Sequence, residues 1–296
     1  MSRTISPSSG KSYGLALVCR VWGIPRATFY RHQTPPRTEP PQRRGPVGPM
    51  PDASLLAAIR ALLAASPFHG EGHRKVWARL RHDGIRTSLR RVRRLMRQHD
   101  LLAPSWVGAS RGPRSHDGTI IPDTLDTMWG TDLTTTITGE GPAAVFVAVD
   151  HCSVECVGIH AARRATRFEA LEPIRQGVRE HFGDFGTHIA RGLSVRHDPG
   201  SQYMSDVFQK ELEFLGLESS PAFVRMPEGN GCAERFIRTL KENLLCVHSF
   251  DTIEELRQAL LAFRQTYNTT WLIERHGFIM PTAFRQSQLQ PAALAA

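Results

Sequence analysis

The sequence predicts an α/β core preceded by a small, all-helical and strongly basic module. Three observations carry that prediction. Between residues 127 and 245, strand-like runs give way to alternating helix and strand patterns, the order of a mixed sheet with helices on its faces. Between residues 52 and 97, apolar residues recur at helical spacing and are split into three segments by short breakers. Charge divides the chain as well. Residues 1–115 hold 21 Lys and Arg against 5 Asp and Glu, a net +16, while residues 116–296 hold 16 against 23, a net −7. A basic front and an acidic back imply separate jobs, with polyanion binding in front.

The chain's 296 residues and 41% hydrophobic content suffice for two domains with real cores. No apolar run approaches the ~18 residues of a membrane span, and Leu15 to Val18 is too short for a signal-peptide core. Five scattered cysteines point to a reducing, cytoplasmic setting. Cys152 and Cys156 have the wrong spacing for a zinc knuckle, and no CxxC follows His69 and His73, so no zinc site is expected.

Residues 1–33 form a short helical arm. Leu15, Leu17, Val18 and Val21 suit one helix, Gly23 and Pro25 a turn, and Arg26 to Arg31 a second helix. A helix-turn-helix-like remnant and a docking arm both fit this pattern. Seven prolines in residues 34–51 make an extended linker. Residues 52–103 are the basic module. Asp52 is expected to cap a helix carrying Leu55, Leu56, Ile59, Leu62 and Leu63. A second helix runs from His73 to His82, and Thr87 is expected to cap a third with Leu89, Val92, Leu95 and Met96 inside. Ten of the 25 residues from 73 to 97 are Lys or Arg, against the single acid Asp83. A solvated face mixes signs, so this ratio favours phosphate contact, with Arg74, Lys75, Arg90, Arg93, Arg94 and Arg97 as candidate DNA-binding residues.

A second linker covers residues 104–122, and the core covers 123–286, with a tail at 287–296. Strands are expected at 127–137, 143–150, 153–160, 189–196 and 219–224, with helices at 166–183 and 205–216 and another carrying Glu234. Periodicity alone gives an α/β domain with a hairpin. Asp251-Thr-Ile-Glu254 reads as the capping box of a last long helix, and Phe278 to Phe284 closes the domain. Three acids stand out. Asp132 lies within a strand, Asp198 at a strand end before a Pro-Gly turn, and Glu234 near the start of a helix with an apolar stripe of Ala233, Phe236, Ile237, Leu240 and Leu244. Glu234, Arg238 and Lys241 form the neighbouring polar stripe, which suits a metal-assisted phosphate site or, more simply, an exposed ion pair.

Four words occur in order: Trp129-Gly-Thr-Asp132-Leu-Thr, Asp198-Pro-Gly-Ser-Gln-Tyr203, Glu234 with Lys241 seven residues on, and Tyr267-Asn268. With 35 residues between Asp198 and Glu234, they resemble the acidic triad of DDE transposases and retroviral integrases. The resemblance is closest to bacterial insertion-sequence transposases whose second reading frame encodes an integrase-like core, and it covers roughly residues 50 to 285. Two departures are visible. His197-Asp198-Pro199 replaces a Ser-Asp-Arg type of word, and Gly231-Cys232 stands where an Asp-Asn-like pair is expected.

The resemblance implies an RNase H-like, integrase-type core behind a helix-turn-helix-like DNA-binding module. It also implies metal-dependent cleavage at element ends followed by strand transfer into target DNA. Asp132, Asp198 and Glu234 would be both catalytic residues and ligands of two Mg²⁺ (or Mn²⁺) ions, Asp132 bridging them. Lys241 and Arg238 would contact DNA. Lys241 lies about 20° from Glu234 and ~10.5 Å along an ideal helix, placing it to hold the element end. The implied partners are terminal repeats and target DNA, a homo-oligomer on that DNA, and an upstream-frame protein or fusion, in a bacterial cytoplasm at the nucleoid. Alternative readings are an RNase H-like nuclease or resolvase and a catalytically inactive DNA-binding protein. A glycosidase with paired carboxylates fits the acids but not the basic front.

Overall fold

The computed structural model describes residues 3–33, 50–104, 120–222 and 230–290. Nearly all of the expected linkers at 34–51 and 104–122, the end of the expected strand at 219–224 and most of the tail lie outside the described residues. The chain divides into two compact units, Met1–Gly48 and Pro49–Ala296. In the first, α1 (Gly14–Val21) and α2 (Arg26–Gln33) flank the expected turn. Leu17, Val21 and Trp22 remain exposed there.

The second unit opens with α3 (Asp52–Ala65), α4 (His73–His82) and α5 (Leu89–Gln98). They enclose Leu55, Ile59, Val76, Leu80, Val92, Leu95 and Met96. Two caps differ from expectation. Asp52 is the first helical residue after Pro51 and pairs with Arg91 and Arg94 instead of capping. The third helix is capped by Ser88, whose side chain accepts from Arg91 N–H, one residue after Thr87.

The core is a five-stranded sheet in the order β3-β2-β1-β4-β5. Strands β1 (Met128–Thr138), β2 (Gly141–Asp150) and β3 (Cys156–Ala162) form an antiparallel meander, and β4 (Ser194–His197) and β5 (Glu218–Pro221) add in parallel to β1. β2 is a nearly continuous apolar run because both its faces are covered. Val145, Val147 and Val149 face one core with α8 (Gly231–Leu240) and α9 (Ile253–Thr270). Ala144, Phe146 and Ala148 face the other, with α6 (Arg167–Phe182) and α7 (Asp206–Leu215). Gly158 lets α6 approach β3, since a Cβ there would stand 1.9 Å from the Pro173 carbonyl oxygen.

β4 is shorter than expected at its start. Gly192 adopts a φ of +95°, which takes the chain out of the extended form just before Ser194. The capping box before α9 is shifted by one residue. Thr252 accepts from Glu255 N–H, and Glu255 reaches back to Asp251 N–H.

After α9 the chain turns through a short 3₁₀ segment, Glu274–His276, into α10 (Pro281–Leu289). From α10, Arg285 enters a buried acidic pocket and pairs with Asp126, Asp150 and Glu155. The three-helix module is seated on the end of α9. Phe68 packs edge-on against Phe263 and Trp271, Trp77 against Phe278, and Asn243 Oδ1 accepts from His69 N–H at 2.7 Å.

Candidate active site

Asp132 sits mid-strand in β1, opposite Val147 of β2. On its other side β1 runs parallel to β4, with Gly130 beside Arg196. Asp198 directly follows His197, the last residue of β4, the strand next to the one carrying Asp132. Asp132 lies on the face that α8 covers, the face of its cross-strand partner Val147. Glu234 is in the first turn of α8 and is exposed, as is Asp198, while Asp132 is half-buried.

The electrostatics tie these acids together. Burial pushes the Asp132 carboxyl up to about 6, against a hydrogen bond from Leu133 N–H. The charges of Asp198 and Glu234 push it further in the same direction, and Lys241 pulls it back. Among the described residues no group of three or more His, Cys, Asp or Glu side chains is placed so that it could hold a metal ion. The donor set nevertheless has the right chemistry, since hard divalent cations prefer carboxylate oxygens and repelling carboxylates gain from one.

Helix α8 is α-helical through Leu240, so Lys241 keeps the spacing from Glu234 read off the sequence. A π-helical turn, Lys241–Leu245, follows at once. Lys241 is exposed, and Arg238 is paired with Glu242 at 2.8 Å. His197 beside Asp198 is buried, bonded through Nε2 to Ser219 Oγ and stacked on Tyr203, which makes it part of the scaffold. Tyr267 and Asn268 are structural too. Tyr267 packs edge-on against Phe236 of α8, and the Asn268 carboxamide bonds both backbone groups of Cys156 at the start of edge strand β3.

The basic residues of the module separate into two sets. Arg90, Arg93 and Arg97 are exposed on α5 and have no ion pair among the described residues. Arg94 is exposed but pairs with Asp52 at 2.6 Å. Arg74 pairs with Glu274 at 2.7 Å, and Lys75 places its ammonium over the Trp271 ring. Burial pulls that ammonium down to about 7, with Glu71 opposing. Lys75 is therefore engaged in seating the module on the core, while Arg74 stays exposed in a surface ion pair.

Asn230 and Gly130 were not singled out by the sequence. Asn230 precedes α8, is 1% exposed, and donates through Nδ2 to the Thr131 carbonyl at 3.0 Å. The available signal was a glycine inside a strand two residues before an acid, which marks close approach of another chain segment.

Comparison with known proteins shows what the chain is similar to. Residues 51–106 match the model of an HTH-like domain, and residues 215–271 match that of an Integrase core domain. Over 245 residues the chain is 27% identical to the transposase InsD for insertion element IS2 of Escherichia coli, covering 80% of this chain and 79% of that relative. The chain is similar to the insertion-sequence transposases over most of its length. It is also 27% identical to an uncharacterized 48.2 kDa protein of insertion element IS2A from the same species, spanning 57% of that relative's length. Among solved structures, the catalytic core domain of BIV integrase superposes with a TM-score of 0.42 at 17% identity, covering 55% of this chain and 96% of that one. Among its described residues, no helix is long and apolar enough to cross a membrane.

Proposed function

We propose that the protein is a DNA transposase that cleaves at the ends of an insertion element and joins the freed 3′-hydroxyl to target DNA. The observation that carries this reading is the half-buried Asp132 on β1, with the acids Asp198 and Glu234 close enough to act on it. Asp132 is pushed up to about 6 by burial and then by the charges of Asp198 and Glu234, an arrangement a divalent cation would relieve. Asp132 from a strand, Asp198 from a strand end and Glu234 from a helix would hold Mg²⁺ or Mn²⁺. The bound cation would supply Lewis acidity at the phosphodiester and lower the pKa of a water or a 3′-hydroxyl. Lys241 and Arg238 lie further along the same helix flank and hold the element end. The protein supplies no covalent nucleophile, so water and then the 3′-hydroxyl attack in turn. Two ends must be brought together, which calls for two or more copies on the DNA, alone or with an upstream-frame protein or fusion.

Affinity for the duplex comes chiefly from the three-helix module over residues 52–103, which has its own small core. Each phosphate neutralised contributes about −0.9 to the slope of log K against log salt. Replacing Arg90, Arg93, Arg94 and Arg97 together by Ala is expected to flatten that slope by roughly two to four units in a filter-binding or anisotropy series. Arg94 should contribute least, because Asp52 already neutralises it. An unchanged slope would move the DNA surface off α5.

Lys241→Glu is expected to weaken end-specific binding and joining, while binding to unrelated duplex through α5 survives at matched salt. Equal affinity of the variant and the parent for element ends would reduce Lys241 to a surface lysine.

The test of the whole reading is incubation of the protein with duplexes carrying the element ends, a plasmid target and Mg²⁺. Joined products are expected. Cleavage without joining would indicate a nuclease, and binding without either would indicate a non-catalytic DNA-binding protein.

A further inference from the structure

We propose that Asn230 is a positioning residue that fixes the distance between the Glu234 helix and the strand carrying Asp132. The inference rests on the carboxylate-site reading above and adds the element that assembles it. Its first support is a hydrogen bond. The Asn230 carboxamide donates through Nδ2 to the Thr131 carbonyl at 3.0 Å, the peptide group that leads directly into Asp132. Glu234 follows Asn230 by one helical turn, so this bond ties the first turn of α8 to β1 beside the strand carboxylate.

A second observation concerns the other side of the same carboxamide. Asn230 is 1% exposed, and its Oδ1 has no partner among the described residues. The same holds for Nε2 of His151, a residue with no exposed surface whose Nδ1 bonds to the Ile120 carbonyl at 2.9 Å. Both atoms converge on Gly130. A Cβ at that position would stand 2.5 Å from Asn230 Oδ1 and 2.6 Å from His151 Nε2. Any side chain at 130 would push the carboxamide away from Thr131, so glycine is required here by space.

The absence of a side chain at position 130 is what lets both polar atoms occupy this space. Asn230 thus acts as a spacer with a donor end and an acceptor end. The donor end locks onto β1, and the acceptor end faces His151, whose backbone carbonyl is held in turn by Arg275. Asn230 makes no side-chain bond to the backbone of α8. Its side chain serves the strand, not the helix end, and this separates the proposal from ordinary helix capping.

The test reads cation binding by melting the full chain across a Mg²⁺ series, in the wild type, Asp132→Asn, Asn230→Ala and Asn230→Ser. Serine can cap a helix but is too short to reach the Thr131 carbonyl. In the wild type Mg²⁺ should raise the melting temperature with a defined midpoint, and Asp132→Asn should abolish that response. Asn230→Ala and Asn230→Ser should both fold and both shift the Mg²⁺ midpoint upward by at least tenfold. Gly130→Ala, which displaces the carboxamide without altering it, should do the same. If the wild type fails to respond, or Asp132→Asn responds as well as the wild type, the carboxylate-site reading is what fails. If wild type and Asp132→Asn behave as expected but folded Asn230→Ser keeps the wild-type midpoint, Asn230 does not position the site and the proposal is overturned. Should Asn230→Ala fail to fold, the serine variant decides alone.

Discussion

Asp132→Asn is expected to abolish cleavage and joining while making the metal-free protein more stable. Loss of one carboxylate from a metal site removes several kcal/mol of transition-state stabilisation, which corresponds to about 10³-fold or more in rate. The stability gain follows from the direction of the pKa shift. The Asp132 carboxyl is raised from 3.8 to about 6 in the folded protein, first by burial and then by Asp198 and Glu234. The native state therefore holds that proton more tightly than the unfolded chain. Its contribution to stability is full below about pH 4, falls as pH rises to about 6, and stays at the lower level above. The loss amounts to about 1–3 kcal/mol, discounted for partial exposure. Asparagine has no such ionisation and can still accept from Leu133 N–H. Melting curves from pH 4 to pH 8 without divalent cation should show the wild type losing stability across that window and the variant staying level. A variant that cuts DNA at close to the wild-type rate would remove Asp132 from the site.

Arg285→Met should cost far more in stability than any change at the exposed basic residues. Arg285 is 5% exposed, and its guanidinium meets Asp126 at 2.7 Å, Asp150 at 3.6 Å and Glu155 at hydrogen-bonding distance. Burial pushes all three carboxyls up; at Asp126 the Arg285 contacts outweigh it and hold that pKa low, whereas Asp150 and Glu155 remain raised. Removing the arginine leaves three acids in one buried pocket, a type of change that costs about 3–5 kcal/mol. For a unit of this size that corresponds to a fall of roughly 10 °C in Tm. Adding Glu155→Gln to Arg285→Met should recover part of the loss, because the leftover charge is the main penalty. A loss below about 1 kcal/mol would mean that the pocket is solvated and that α10 is held by apolar contacts alone.

The helices and the order of strands were legible because their patterns are local. The stripe Ala233, Phe236, Ile237 and Leu240 gave α8, and the unbroken apolar run at 143–150 gave β2. Cap residues were misplaced by one position at Thr87 and Asp251, since adjacent Ser, Thr and Asp residues compete and only backbone geometry chooses between them. The three acids were legible as a spaced pattern, but their neighbourhood was not. Arg74 and Lys75 read as part of a basic surface because sequence carries no information about what α4 packs against. Trp271 and Glu274, nearly 200 residues away, decide their fate. Asn230 was passed over for a similar reason, since its partner lies 99 residues upstream in the strand bearing Asp132.

The most direct test of the central claim, that Asp132, Asp198 and Glu234 form one cation site, is anomalous diffraction from crystals soaked in Mn²⁺. The account predicts anomalous density within coordination distance of all three carboxylates, lost in Asp132→Asn. Density at Asp126, Asp150 and Glu155 instead, or none beside Asp132 in crystals that bind Mn²⁺ elsewhere, would contradict it.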